Sequence, residues 1–130
     1  MTRPATAIST DRARPPLKRP ALNIQIMDNG KRLTICQLDG ELDLSTICQF
    51  RETVAGIAPG SRLLIDMSGV TFLDSAGLGA LVGTIRRSRE FGGDVAVTCN
   101  RHVLVRLLST VGLDRVVTIT DNVEDAMAAL

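Results

Sequence analysis

Tryptophan and tyrosine are both missing from this 130-residue chain, and phenylalanine occurs only three times. That removes most of the flat stacking surfaces on which proteins hold single-stranded nucleic acid. Histidine occurs once, at His102, so a site built from several histidines around a metal is excluded. A Ser-His-Asp triad would have to be built on that single residue. No GxGxxG or Walker-type glycine loop appears, so nucleotide phosphates have no cradle of those kinds. The three cysteines, Cys36, Cys48 and Cys99, are far apart and form no CxxC pair. An odd count without a secretory signal suits a reducing compartment, where free thiols behave as small hydrophobes. No apolar run approaches the roughly 20 residues that cross a bilayer, and no apolar segment of the secretory type follows the N-terminal charges. The expectation is a cytoplasmic protein with no membrane span, no cofactor, no bound metal and no direct contact with nucleic acid.

What remains is ordinary in amount and uneven in distribution. Hydrophobic residues make up 45% and charged residues 22%, as in a globular domain. A chain of this length buries enough apolar surface to fold without disulfides. Residues 1 to 20 hold Arg3, Arg12, Arg14, Lys18 and Arg19 against Asp11 alone, a net +4, while the remainder carries −3. Four of the five prolines, Pro4, Pro15, Pro16 and Pro20, fall in the same segment. Residues 1 to 20 therefore read as a disordered basic tail and residues 21 to 130 as one domain.

Within that domain the hydrophobic period changes repeatedly. Leu22, Ile24 and Ile26 alternate with Asn23 and Gln25, the pattern of a half-buried strand. Asp28-Asn29-Gly30 supplies a hairpin turn into a second strand, Lys31 to Leu38, which Asp39-Gly40-Glu41 is expected to break. A helix capped by Ser45 or Thr46 places Phe50, Val54 and Ile57 on one stripe and ends at Pro59-Gly60. Leu63 to Ile65 reads as a strand covered on both faces. The next helix carries Leu78, Leu81, Val82 and Ile85 inward and Arg86, Arg87, Arg89 and Glu90 outward, and Gly92-Gly93 stops it. Val95 to Val97 makes a strand. Val103, Leu104, Leu107, Leu108 and Val111 stripe a third helix capped at Gly112. Val116, Val117 and Ile119 form a last strand, and Val123, Ala126, Met127 and Leu130 stripe a final helix. The order predicts an α/β fold: a mostly parallel sheet of about five strands with an N-terminal antiparallel hairpin, and about four helices.

In such sheets, sites gather where strand C-termini feed helix N-termini. Here that stretch is Phe72-Leu73-Asp74-Ser75-Ala76-Gly77-Leu78-Gly79, which enters the second helix. Asp74 and Ser75 are both good N-cap residues, worth about 1 kcal/mol, and Gly77 and Gly79 allow close helix packing. One cap explains only one of these residues. Gly40-Glu41-Leu42-Asp43 lies at another strand-to-helix junction and is expected alongside.

The two segments in this element order resemble the STAS domain, specifically that of the anti-sigma factor antagonists. Gly40-Glu41-Leu42-Asp43 is similar to the family's GELD segment. Phe72 to Gly79 is similar to its signature, in which the serine directly after the aspartate is phosphorylated. The resemblance spans about residues 21 to 130 and implies a partner switch rather than an enzyme. The unphosphorylated form would bind an anti-sigma factor that is also a serine/threonine kinase, freeing a sigma factor. Phosphorylation at Ser75 would end that binding, and a metal-dependent serine phosphatase would reset it. The implied partner-binding residues are Asp43, Asp74, Ser75, Ala76, Gly77 and Leu78. Asp74 would cap the helix, and Gly77 would let the kinase approach the backbone. A basic stripe of Arg86, Arg87 and Arg89 is either a partner contact or a solvated face. The alternatives are a stressosome-like scaffold, a transporter-associated adaptor, and a small hydrolase using Ser75. The last would need His102 within reach and lacks a GxSxG elbow.

Overall fold

Alternating apolar residues produce a hairpin first. β1 (Leu22–Asp28) and β2 (Leu33–Leu42) pair antiparallel, with Leu22 opposite Gly40 and Asp28 opposite Thr34. Between them the Asp28 carboxylate accepts from the Gly30 N–H at 3.0 Å. The computed structural model describes residues 21–30 and 32–130; the basic segment 1 to 20, expected to be disordered, lies outside the described residues.

The chain then runs α1 (Ile47–Ala55), β3 (Arg62–Leu73), α2 (Ser75–Glu90), β4 (Val95–Thr98), α3 (His102–Thr110), a 3-10 turn (Leu113–Arg115), β5 (Thr118–Thr120) and α4 (Val123–Ala128). The sheet order is β1-β2-β3-β4-β5, and every pair after the first is parallel. Each crossover advances one place in the same direction, so right-handed connections put α1, α2 and α3 on one face. The buried residues agree. Leu38, Phe50, Ile65, Leu81, Leu104 and Leu108 belong to one core cluster, while Ile35, Leu64, Ala96 and Ala126 form a second under α4. The α/β architecture expected from the sequence is thus the one observed.

Two strands exceed their expected limits, and the excess builds the site. β2 continues through Asp39-Gly40-Glu41 instead of breaking there. Gly40 sits at φ +116°, which an L side chain rarely adopts, and the register against β3 slips between Gly40 and Glu41. β3 likewise runs on to Leu73, and Met67, Val70 and Leu73 are buried despite their polar neighbours. The two extensions pair with each other, Gly40 opposite Val70 and Leu42 opposite Leu73. Each offers the other the ladder hydrogen bonds that neither segment's composition suggests.

Smaller differences follow from packing. α1 stops at Ala55, so Ile57 lies beyond it. On α3, Leu104 and Leu108 are buried but Val103 and Val111 are 75% and 50% exposed. β4 and β5 are only four and three residues long, too short to offer a surface to that helix's whole apolar stripe.

Candidate functional site

The paired ends of β2 and β3 leave the sheet side by side, one into the turn Asp43-Leu44-Ser45-Thr46 and the other into α2. Asp74 ties these exits together. Its Oδ1 accepts from the Gly77 N–H at 2.8 Å and its Oδ2 from the Leu44 N–H at 3.1 Å. Its own N–H points to the Leu42 carbonyl oxygen at 3.4 Å. One carboxylate therefore caps α2 and pins the neighbouring turn, with charge-assisted bonds to two otherwise unmatched amides.

The neighbouring turn is organised around Asp43 and Thr46. Asp43 Oδ1 accepts from the Ser45 hydroxyl at 2.7 Å and the Ser45 N–H at 2.9 Å. The Ser45 hydroxyl leads the bonds that hold the Asp43 carboxyl below its ordinary value. Thr46 is buried; its hydroxyl donates to the Glu41 carbonyl at 2.9 Å and accepts from the Asp43 N–H at 3.0 Å. Thr46 is also the N-cap residue of α1, but its side chain bonds back into the turn and makes no cap bond.

Ser75 is the first residue of α2 and is exposed. Capping falls to Asp74, and among the described residues the Ser75 hydroxyl has no hydrogen-bond partner. Asp43, Asp74, Ala76 and Leu78 are half-buried, and Leu78 packs against the main core. Gly77 is buried. A Cβ there would overlap the Leu42 carbonyl oxygen and lie 2.8 Å from the carbonyl carbon and 3.0 Å from Leu73 Cδ1. Gly77 is thus required by the close approach of α2 to the end of β2. At Gly79 a Cβ would meet nothing within 4 Å.

The structure adds two apolar residues to the rim. Leu44, in the Asp74-bound turn, is 73% exposed, and Phe72, two residues before Asp74, is 49% exposed. Leu44 could have been found in the sequence: it is a large apolar residue between the polar turn formers Asp43 and Ser45, before the stripe of α1 begins. The site is acidic. Glu41, Asp43 and Asp74 surround it, the first turn of α2 carries no charged side chain, and Arg86, Arg87 and Arg89 sit at the helix's other end. There Arg87 lies 5.9 Å from the centre of the Phe91 ring and Arg89 is 3.9 Å from Asp94. His102 is exposed at the start of α3 and shares no hydrogen bond with Ser75. Among the described residues no group of three histidine, cysteine, aspartate or glutamate side chains is placed to hold a metal ion. Among the same residues no helix is long and apolar enough to cross a membrane.

The same combination of fold and turn recurs in known proteins. The STAS domain family model matches residues 25–126. The chain is 29% identical over 113 residues to the anti-sigma F factor antagonist of Paenibacillus polymyxa, covering 84% of this chain and 97% of that one. It is 28% identical over 100 residues to the anti-sigma-B factor antagonist of Bacillus subtilis (strain 168), covering 76% and 91%. Its fold is similar to the crystal structure of an anti-sigma factor antagonist from Mycobacterium paratuberculosis, with a TM-score of 0.76 and 26% identity, covering 87% and 97%. A model match over most of the domain, on a sheet with this strand order, means that the chain belongs to the STAS domain family.

Proposed function

We propose that this chain is an anti-sigma factor antagonist whose binding surface is the turn formed by Asp43, Leu44, Asp74, Ser75, Ala76, Gly77 and Leu78, with phosphorylation of Ser75 as the off switch. The reading carries over to this chain the function named for relatives that match most of its length. The observation that carries it is the division of labour at α2. A serine kept only as a helix cap would accept a backbone N–H through its own oxygen. Here Asp74 does that, and the exposed Ser75 hydroxyl is left over.

The physical consequence of modification follows from its place. A phosphate adds about −1.5 to −2 charge. At a helix N-terminus that charge meets the positive end of the helix dipole, so the domain stays folded. On the partner side the same charge enters a surface that already holds Asp43 and Asp74, between exposed Leu44 and Phe72. A partner fitted to a neutral hydroxyl would bury that charge unpaired, at several kcal/mol. Each 1.4 kcal/mol is tenfold in affinity, so a loss of about a thousandfold needs no change of fold. The partner would be an anti-sigma factor with serine kinase activity. A metal-dependent serine phosphatase would restore binding, and the exchange would take place in the cytoplasm.

The test is affinity capture from native lysate with wild type, Ser75→Ala and Ser75→Asp as baits. Wild type and Ser75→Ala should retain an ATP-binding kinase that Ser75→Asp does not. Adding ATP should release it from wild type, with phosphate found on Ser75 by mass spectrometry, and leave it on Ser75→Ala. If all three baits retain the same proteins and ATP releases none of them, Ser75 is no switch and a scaffold or adaptor role takes its place.

A further inference from the structure

A second concave surface lies away from the Asp74 turn. A groove of about 260 Å³ runs between α1, α2 and the start of β3, and none of Asp43, Leu44, Asp74 or Ser75 lines it. Its long wall is α2 from Gly79 to Arg87, about 12 Å at 1.5 Å per residue. Val54, Leu63 and Ala80, all buried, give it an apolar floor.

Two features of the groove have no explanation in the packing of the domain. The first is Ser61. It is 7% exposed and lines the groove, yet among the described residues its hydroxyl has no hydrogen-bond partner. Buried hydroxyls are rarely left so, because the bond to water lost on folding goes unreplaced. Ser88 lines the same end, and a Cβ added at Gly93 would lie 2.8 Å from its Oγ and 2.5 Å from the Ser61 carbonyl oxygen. The second feature is the pair Gly79 and Gly83, one turn apart on α2, where glycine is the least favoured residue after proline. Neither serves a close approach as Gly77 does, since an added Cβ would meet nothing within 4 Å at either position. Both line the groove, and a side chain at either would narrow it.

The rim is positive. Arg51 lines the groove from α1 and Arg87 from α2, and among the described residues neither has a carboxylate partner. Arg87 stands at the Ser88 end, 5.9 Å from the centre of the Phe91 ring, which also lines the groove. An apolar trough with unpartnered hydroxyls and a cation at one end fits a ligand with one tail and one anionic head. The volume is just under the range of drug-sized pockets, about 300 to 1,000 Å³. It suits a single chain rather than the paired chains of a membrane lipid.

We propose that the groove between α1 and α2 binds a medium-chain fatty carboxylate, its head group on the Ser61 hydroxyl and the Arg87 guanidinium. The chain lies over Gly83 and Gly79 toward Arg51. Arginine pairs with a carboxylate through two parallel N–H bonds, and Ser61 donates the O–H that is otherwise unused. The aliphatic stem of Arg51 covers the end of the tail. The site is independent of the partner-switch reading of Ser75.

The test is isothermal titration calorimetry of the full chain with octanoate and decanoate below their micelle concentrations. Binding should be one to one, and each added methylene should raise affinity about fourfold. Octanol, which lacks the anion, should bind about tenfold more weakly than octanoate, and Arg87→Gln should lose about tenfold. Ser61→Ala should bind more weakly without becoming less stable. Gly83→Leu should abolish binding while its Tm holds or rises, because leucine is the better helix former, so a blocked groove is told apart from a damaged fold. The proposal is overturned if binding does not saturate, if Gly83→Leu binds decanoate as wild type does, or if octanol matches octanoate. A larger loss in Arg51→Gln than in Arg87→Gln would also overturn it. None of these results bears on the capture experiment at Ser75.

Discussion

Replacing Gly77 and Gly79 separately by alanine tests how the site is held, because the two positions predict opposite signs. In a helix interior alanine is better than glycine by about 1 kcal/mol. At Gly79 nothing opposes that gain, since an added Cβ meets no atom within 4 Å. Gly79→Ala should therefore raise stability by about 0.5 to 1 kcal/mol. At Gly77 the same methyl meets the Leu42 carbonyl, 2.8 Å from its carbon, and Leu73 Cδ1 at 3.0 Å. Both are fixed, one as backbone of β2 and the other as a buried side chain. Relief requires the first turn of α2 to move off the sheet, and forced overpacking of this kind costs about 1 to 3 kcal/mol. The propensity gain offsets only part of it, leaving Gly77→Ala less stable by about 1 to 2 kcal/mol. In a domain of this size that is a fall in Tm of roughly 5 to 10 °C, against a rise of a few degrees for Gly79→Ala. Urea and thermal denaturation followed by circular dichroism measure both. Leu42 and Asp74 are the same residues that hold the Leu44 turn, so Leu44 amide exchange should quicken in Gly77→Ala and not in Gly79→Ala. Equal stability of the two variants, or an unchanged Leu44 amide in Gly77→Ala, would refute the close-approach argument.

Three further outcomes follow from the same geometry. Asp74→Ala removes a helix cap and a turn bond together and should cost about 2 kcal/mol in urea denaturation, with Asp74→Asn losing less. The Asp43 carboxyl is held below its ordinary 3.8, chiefly by the Ser45 hydroxyl. Its folded value is the lower one, so its stabilising effect is complete above the unfolded value and disappears as pH falls from about 4 through the folded value. Stability curves of wild type and Asp43→Asn should therefore converge in acid, and carboxyl NMR should give an Asp43 midpoint below 3.8 that rises in Ser45→Ala. Cys48 is exposed whereas Cys36 and Cys99 are buried, and burial pushes the Cys36 thiol up to about 12. A thiol reagent at neutral pH should modify one cysteine per folded chain and three after denaturation; rapid modification of all three in buffer would contradict this burial.

The sequence by itself determined the order and type of the elements, because the shift between period 2 and period 3.6 survives without any tertiary information. It also marked the junction at Asp74-Ser75 and the second junction at Asp43, since polar turn formers stand out beside apolar stripes. It placed the ends of β2 and β3 too early. Asp39-Gly40-Glu41 and Asp66 to Thr71 have the composition of loops, and each is held as strand by pairing with the other and with the strand on its far side. The assignment of roles within the site was equally out of reach. Asp74 and Ser75 are both competent caps, and only the position of the Leu44 and Gly77 amides gives the cap to Asp74 and leaves Ser75 exposed. Gly77 and Gly79 look alike in the chain, yet one lies against the end of β2 and the other faces open space. Local pattern is set by residues near one another in sequence. Which neighbour a carboxylate reaches, or which glycine has room for a methyl, depends on segments about 30 residues apart, and only the folded chain brings those together.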